Sequence, residues 1–164
     1  MRVLRTALTA LLSLAILASA GCGFHLKSDY LIPTELQSLR LESSDKYGEL
    51  HRLVQERLRL SDIEEVTTAT APRLWLGNDN LERSTLSLFP SGQVAEYELI
   101  YSVRFSVTIA DNAPQNFDVE IRRDYLDDPR TALAKNRELE LLLKEMRVQA
   151  ADQILRTLSS IQTQ

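Results

Sequence analysis

The sequence predicts an α+β domain, with two helices packed on one face of a small, largely antiparallel β-sheet. Three observations carry this expectation. Tyr97, Leu99, Tyr101, Val103, Phe105, Val107 and Ile109 alternate with Glu98, Ile100, Ser102, Arg104, Ser106 and Thr108. Only Ile100 breaks the polar set, so the stretch reads as a long strand with one face on a core and one in a polar setting. Leu50, Leu53, Val54 and Leu58 recur at helical spacing, with Glu49, Arg52, Glu56 and Arg57 on the other side. Leu139, Leu143, Met146, Ala150, Ile154 and Leu158 repeat every three or four residues, and neither Gly nor Pro occurs from Arg130 to Gln164.

In chain order, residues 1–21 read as a signal peptide of the lipoprotein type. Arg2 and Arg5 give a positive start, Ala7 to Ala18 are nearly all apolar, and Ser19, Ala20 and Gly21 are small. The apolar run is shorter than the roughly 20 residues that a spanning helix needs. Cys22 is the single cysteine, so no internal disulfide can form. Ala20-Gly21-Cys22 resembles a bacterial lipobox, in which the Cys carries an S-diacylglycerol and an N-acyl group. Ser19 departs from the aliphatic residue usual three places before the Cys. Acyl chains bury about 0.8 kcal/mol per CH₂, which makes Cys22 the expected membrane anchor. Gly23 rather than Asp follows it, and in enteric-type sorting that favours the outer membrane.

Residues 22–33 form the lipidated N-terminus and tether, and residues 34–164 a single domain. Leu36, Leu39 and Leu41 predict a first strand ending near Glu42, with Ser44 or Asp45 as the cap of the following helix. That helix is expected to end near Leu60-Ser61-Asp62. Val66 to Leu76 and Leu81 to Phe89 read as strands, with Pro72 marking a break or an edge. Phe89-Pro90-Ser91-Gly92, with Pro second and Gly fourth, suits a tight type I turn. Asp111-Asn112-Ala113-Pro114 is a second turn, after which Phe117, Val119 and Ile121 continue the period of two. Asp128 as cap and Pro129 at the first helical position open the last helix.

Little in the chain points to chemistry. Removing residues 1–21 leaves 17 basic against 23 acidic residues, a net charge of about −6, which does not suit a nucleic-acid binder. His25 and His51 stand in no metal-ligand or nucleophile motif, so neither an enzyme nor a metal site is expected. Glu64-Glu65 and Asp127-Asp128 read as a loop and a helix cap rather than catalytic pairs. One charge pattern does stand out. Arg130, Lys135 and Arg137 occupy the first turns of the last helix, just after Arg122 and Arg123, where the helix dipole opposes cations. Together they suit an anion such as a phosphate. The alternative is that Asp124, Asp127, Asp128 and Glu138 neutralise them.

Laid in order, Gly21-Cys22-Gly23-Phe24-His25-Leu26, Phe89-Pro90-Ser91-Gly92-Gln93-Val94-Ala95-Glu96-Tyr97 and Asp128-Pro129 with Ala132-Leu133-Ala134-Lys135 resemble the lipopolysaccharide-assembly lipoproteins of Gram-negative bacteria, the LptE family. The resemblance implies a non-enzymatic lipoprotein at the outer membrane, lipid-anchored on the periplasmic side. Such a protein sits inside the lumen of the LptD β-barrel, plugs it, assists its assembly and helps deliver lipopolysaccharide to the cell surface. It needs no cofactor beyond the lipid on Cys22. The resemblance also implies contacts at the hairpin tip, Phe89, Pro90, Ser91 and Gly92, and a lipid A phosphate contact at Lys135. Arg130 and Arg137 join Lys135 from the charge pattern alone. Family members carry a basic residue after the Phe of the tip, and Pro90 stands there in this chain. A pilotin-like or lipid-transport accessory outer-membrane lipoprotein shares the anchor and the lack of catalytic motifs, and is the alternative reading.

Overall fold

The computed structural model describes residues 32–126 and 132–161, together with Arg2 and Thr6. The rest of the signal peptide, Cys22, the Asp128-Pro129 cap and Arg130 lie outside the described residues. A 3₁₀ turn, Thr34–Leu36, leads into β1, Ser38–Ser43. Leu39 and Leu41 are buried, as their alternation with Arg40 predicts, and Leu36 is buried from the 3₁₀ turn before the strand. Helix α1, Glu49–Leu60, buries Leu50, Val54 and Leu58. Its cap is Gly48, which makes no side-chain capping bond. The expected capping role of Ser44 or Asp45 is therefore corrected: Asp45 Oδ1 instead accepts the Tyr47 amide at 3.1 Å, in the turn before the helix.

After α1 the chain makes a two-residue strand, β2 (Glu64–Glu65), beside β1. Residues 66–72 form a connection rather than the expected strand, and Pro72 fixes the change. Its carbonyl accepts the Arg40 amide at 2.7 Å, and β3 runs from Arg73 to Leu88 as one strand. β4, Val94–Thr108, and β5, Gln115–Leu126, complete a sheet of order β2-β1-β3-β4-β5. β1 is parallel to both its neighbours, whereas β3, β4 and β5 are antiparallel. Helix α2, Ala132–Ser160, lies with α1 on one face. The α+β architecture is as the sequence predicts.

The core sits between that face and the two helices. Leu74, Leu76, Leu99, Tyr101, Phe105, Met146, Ile154, Leu155 and Leu158 are almost wholly shielded from solvent. Phe105 stacks on Phe117 with ring centroids 5.1 Å apart. The β3–β4 register shifts at three places, twice near the turn, at Thr85/Ser87 and Ser87/Leu88, and once deep in the sheet. Leu76 opposes Phe105, the next matched pair is Asp79 and Val103, and Gly77 with Asn78 together face Arg104. This is a β-bulge. A Cβ on Gly77 would stand 3.0 Å from the Arg104 carbonyl oxygen, so close that the neighbouring backbone would have to give way. From this bulge to Thr85 the odd-numbered residues of β3 face the helices.

Candidate functional site: the distal end of the hairpin

The bulge turns a carboxylate into the layer between sheet and helices. Asp79 Oδ2 accepts the Tyr101 hydroxyl at 2.9 Å and Arg147 Nε of α2 at 3.0 Å. Arg147 also donates to Glu49 Oε2, at the start of α1, at 2.7 Å. One guanidinium thus ties both helices to β3. Burial, and secondly the Asp79 carboxylate, hold the Tyr101 hydroxyl well above the ordinary tyrosine pKa. Burial works against the Arg147 charge, but Asp79 and Glu49 together outweigh it and raise its pKa. A second link between the helices is the Arg57–Asp152 ion pair. These contacts fix where the sheet and helices stand, and so how the rest of the hairpin projects.

Past Leu81, β3 leaves the core. Leu86 is 50% exposed, Leu88 59% and Phe89 43%, against 0% and 1% for Leu74 and Leu76 in the same strand. The turn follows the predicted form. The Gly92 amide donates to the Phe89 carbonyl at 2.8 Å, and the Phe89 amide to the Gln93 carbonyl at 2.8 Å. Gly92 has φ +83°, a left-handed conformation that disfavours a side chain even though a Cβ there would meet nothing within 4 Å. Phe89, Pro90, Ser91 and Gly92 all lie at this exposed tip. Leu126, 69% exposed, ends β5 opposite Glu96 at the same end of the sheet.

The start of α2 is held at this end too. Tyr125 pairs with Tyr97 across β4 and β5, is buried, and donates its hydroxyl to the Lys135 backbone carbonyl at 3.3 Å. Tyr97 is five positions along the chain from Gly92, so Lys135 stands roughly 16 Å back from the tip at about 3.3 Å per residue. Lys135 is half-buried and Arg137 exposed. Register adds two cations: Arg83 and Arg123 flank Leu99, on the same sheet face as Tyr97 and Tyr125. Arg122, which the sequence groups with them, points the other way. It donates to both Glu98 oxygens at 3.0 Å and to Glu120 Oε1 at 2.7 Å on the outer face. The neutralised-network alternative therefore describes Arg122, with partners other than those expected.

The distal end thus gathers exposed apolar side chains and basic groups, a pairing suited to an anionic amphiphile. Sequence reasoning missed Arg83, Leu86, Leu88 and Leu126. The signal for Arg83 was present: Leu74 and Leu76 are even-numbered while Leu81 is odd, and a phase slip across Gly77-Asn78 puts Arg83 on the core side. Among the described residues no group of three or more His, Cys, Asp or Glu side chains could hold a metal ion, and no helix is long and apolar enough to cross a membrane.

Comparison with known proteins agrees with this plan. Residues 36–158 match the family model LptE, described as lipopolysaccharide-assembly. The LPS-assembly lipoprotein LptE of Pectobacterium atrosepticum is 41% identical over 156 residues, covering 93% of this chain and 85% of that protein. That of Yersinia pestis is 42% identical over 157 residues, covering 94% and 76%. The crystal structure of rare lipoprotein B from Shewanella oneidensis is 62% identical, with a TM-score of 0.71, over 75% of this chain and 94% of that one. With a family model matching residues 36–158 and relatives above 40% identity along most of the sequence, this chain belongs to the LptE lipopolysaccharide-assembly family.

Proposed function

We propose that the protein is an outer-membrane lipoprotein, anchored through acyl groups on Cys22, that plugs an LptD-type β-barrel, assists its assembly and helps pass lipopolysaccharide to the cell surface. The family is one of lipopolysaccharide assembly and not of enzymes. The observation that carries the finer reading is the distal end. Leu86, Leu88, Phe89 and Leu126 offer apolar surface for acyl chains, and Lys135, with Arg137, Arg83 and Arg123, offers cations for lipid A phosphates. Arg130 belongs to the same proposal from its place in the sequence. A plug also needs a polar exterior, because the interior of a large membrane barrel is polar. The outer face of β3, β4 and β5 meets that need.

The experiment is purification of the tagged, lipidated chain from detergent-solubilised outer membrane. A very large β-barrel protein, identified by mass, should dominate the eluate. A secretion-channel subunit in its place would favour the pilotin-like reading and overturn this one. Intact mass should exceed the peptide from Cys22 by several acyl chains, and an unmodified N-terminus would end the lipoprotein reading.

A further inference from the structure

At the end of the sheet opposite the hairpin tip, two shielded polar atoms lie in one row. Arg40, Arg73 and Thr108 are register partners across β1, β3 and β4. Leu41, Leu74 and Val107, one residue away on each strand, are buried under the helices, so the row faces outward. Thr108 Oγ1 is shielded from solvent and has no hydrogen-bond partner among the described residues. Arg40 Nε is shielded too: it stands 3.0 Å from Glu42 Oε1, yet no aligned hydrogen bond joins them. Buried polar atoms are nearly always paired, so two such atoms in one row call for a partner.

A cleft of about 390 Å³ opens over the row, walled by residues 69–71 of the connection before β3 and by Ala110 and Asp111 of the turn after β4. Charge narrows the ligand. Glu42 also stands 3.7 Å from Arg73 Nη1, so two guanidinium groups meet one carboxylate and leave one positive charge. That matches the single negative charge of a phosphodiester better than the roughly −1.5 to −2 of a phosphomonoester. Guanidinium forks and a hydroxyl are donors suited to phosphate oxygens. Asp111, exposed on the rim, adds a carboxylate that can meet an ammonium joined to that phosphate. Place favours a lipid source. β1 begins at Ser38, two residues before Arg40, so the row lies at the end of the sheet that the N-terminal segment reaches first. Ten positions separate Cys22 from Ile32, a reach of at most about 36 Å. An acyl anchor on Cys22 therefore keeps the cleft near a membrane surface.

We infer that this cleft binds the headgroup of an ammonium-bearing glycerophospholipid, with the phosphodiester on Arg40, Arg73 and Thr108 and the ammonium on Asp111. The site is separate from the distal end and leaves lipopolysaccharide there. Its lipid source rests on the Cys22 anchor proposed above. Trp75, the single tryptophan, follows Arg73 by two residues on the same face, opposite Glu42, and supplies a local readout. Purified lipidated chain in non-ionic detergent would be titrated with dihexanoyl phosphatidylethanolamine, its phosphatidylglycerol analogue, inorganic phosphate and lipopolysaccharide, by calorimetry and by Trp75 fluorescence.

The ethanolamine lipid should bind several-fold more tightly than the glycerol lipid, and inorganic phosphate more weakly than either. Arg73→Gln should weaken the ethanolamine lipid about fivefold or more, and Thr108→Val about threefold. Thr108→Val should melt at or above the wild-type temperature, because the hydroxyl it removes has no protein partner. Asp111→Asn should abolish the preference for ethanolamine over glycerol. Arg104→Gln, an exposed outer-face arginine paired with Asp118, is the control and should change nothing. Wild-type affinity in both Arg73→Gln and Thr108→Val, with intact melting curves, would overturn the inference, as would no saturable heat with the wild-type chain. Inorganic phosphate bound as tightly as the lipid would overturn the lipid assignment. Lipopolysaccharide binding lost equally in Arg73→Gln would make the cleft part of the lipopolysaccharide path and overturn it too. Intact mass of the same preparation reads the anchor separately, and missing acyl groups would end that reading whatever the titration shows.

Discussion

The two halves of the β3–β4 hairpin have the same backbone and opposite fates. Near the bulge, Leu74, Leu76, Phe105 and Val107 are buried under the helices, and β5 adds Phe117 and Val119. Toward the turn, Leu86, Leu88 and Phe89 stand in solvent. Stability is concentrated in the first half, because burial of apolar surface drives folding at about 25 cal/mol per Å². The second half is extended by the first and is free to carry contacts that folding does not need. The difference teaches that residues should be sorted by their distance from the bulge rather than by their strand.

That comparison can be broken at several levels. The largest effect is expected in the core. Phe105→Ala removes a buried ring stacked on Phe117 and should cost about 3–5 kcal/mol by chemical denaturation. A cost below 1 kcal/mol would show that the proximal half is not the stable one. Next comes the junction. Arg147→Met strands Asp79 and Glu49 between sheet and helices, and should cost about 1–3 kcal/mol, moderated because the groups are partly solvated. Distal contacts should suffer as well, since the hairpin loses its tie to both helices.

Tyr101→Phe removes one hydrogen bond to Asp79 and should cost about 1 kcal/mol near neutral pH. It also has a pH signature. The folded hydroxyl titrates above its unfolded value of about 10, so the folded state holds the proton more tightly. That contribution is complete below pH 10 and is lost as pH rises beyond it. Melting curves of wild type should therefore fall more steeply above pH 10 than those of the Phe variant, and parallel curves would remove this account of the network. Smaller still is Gly92→Val, which strains the left-handed turn by about 1–2 kcal/mol locally. Global stability should change less than for Arg147→Met, while envelope resistance to large antibiotics should weaken. Normal resistance at normal protein level would make the tip dispensable.

Much of this was legible in the sequence, and the gaps have physical causes. The alternation around Tyr101 and the stripes of both helices follow from periodicity, which burial enforces. The turn at Pro90-Ser91-Gly92 was legible because backbone conformation there depends on the Gly itself. The bulge was missed, because two residues opposing one is a property of a pair of strands and not of either alone. Asp79 consequently fell between the two expected strands, Val66 to Leu76 and Leu81 to Phe89, and Arg83 was not connected with Lys135. The caps of α1 were misassigned because several polar residues in a row offered equal local chemistry. Lys135 was named from family resemblance and charge, and the structure adds how it is placed: over Tyr125, at the distal end.

The central claim is that binding and stability reside at opposite ends of the hairpin, and Lys135→Glu tests it most directly. The substitution reverses one charge at the distal end and leaves the core untouched. Purified soluble domain beginning near Gly23 would be titrated with lipopolysaccharide at two ionic strengths, beside a denaturation curve. Stability should change by less than about 0.5 kcal/mol, and lipopolysaccharide should bind several-fold more weakly, with the larger loss at low salt where screening is weakest. Unchanged binding at both salts, or a large loss of stability with the binding, would contradict the claim.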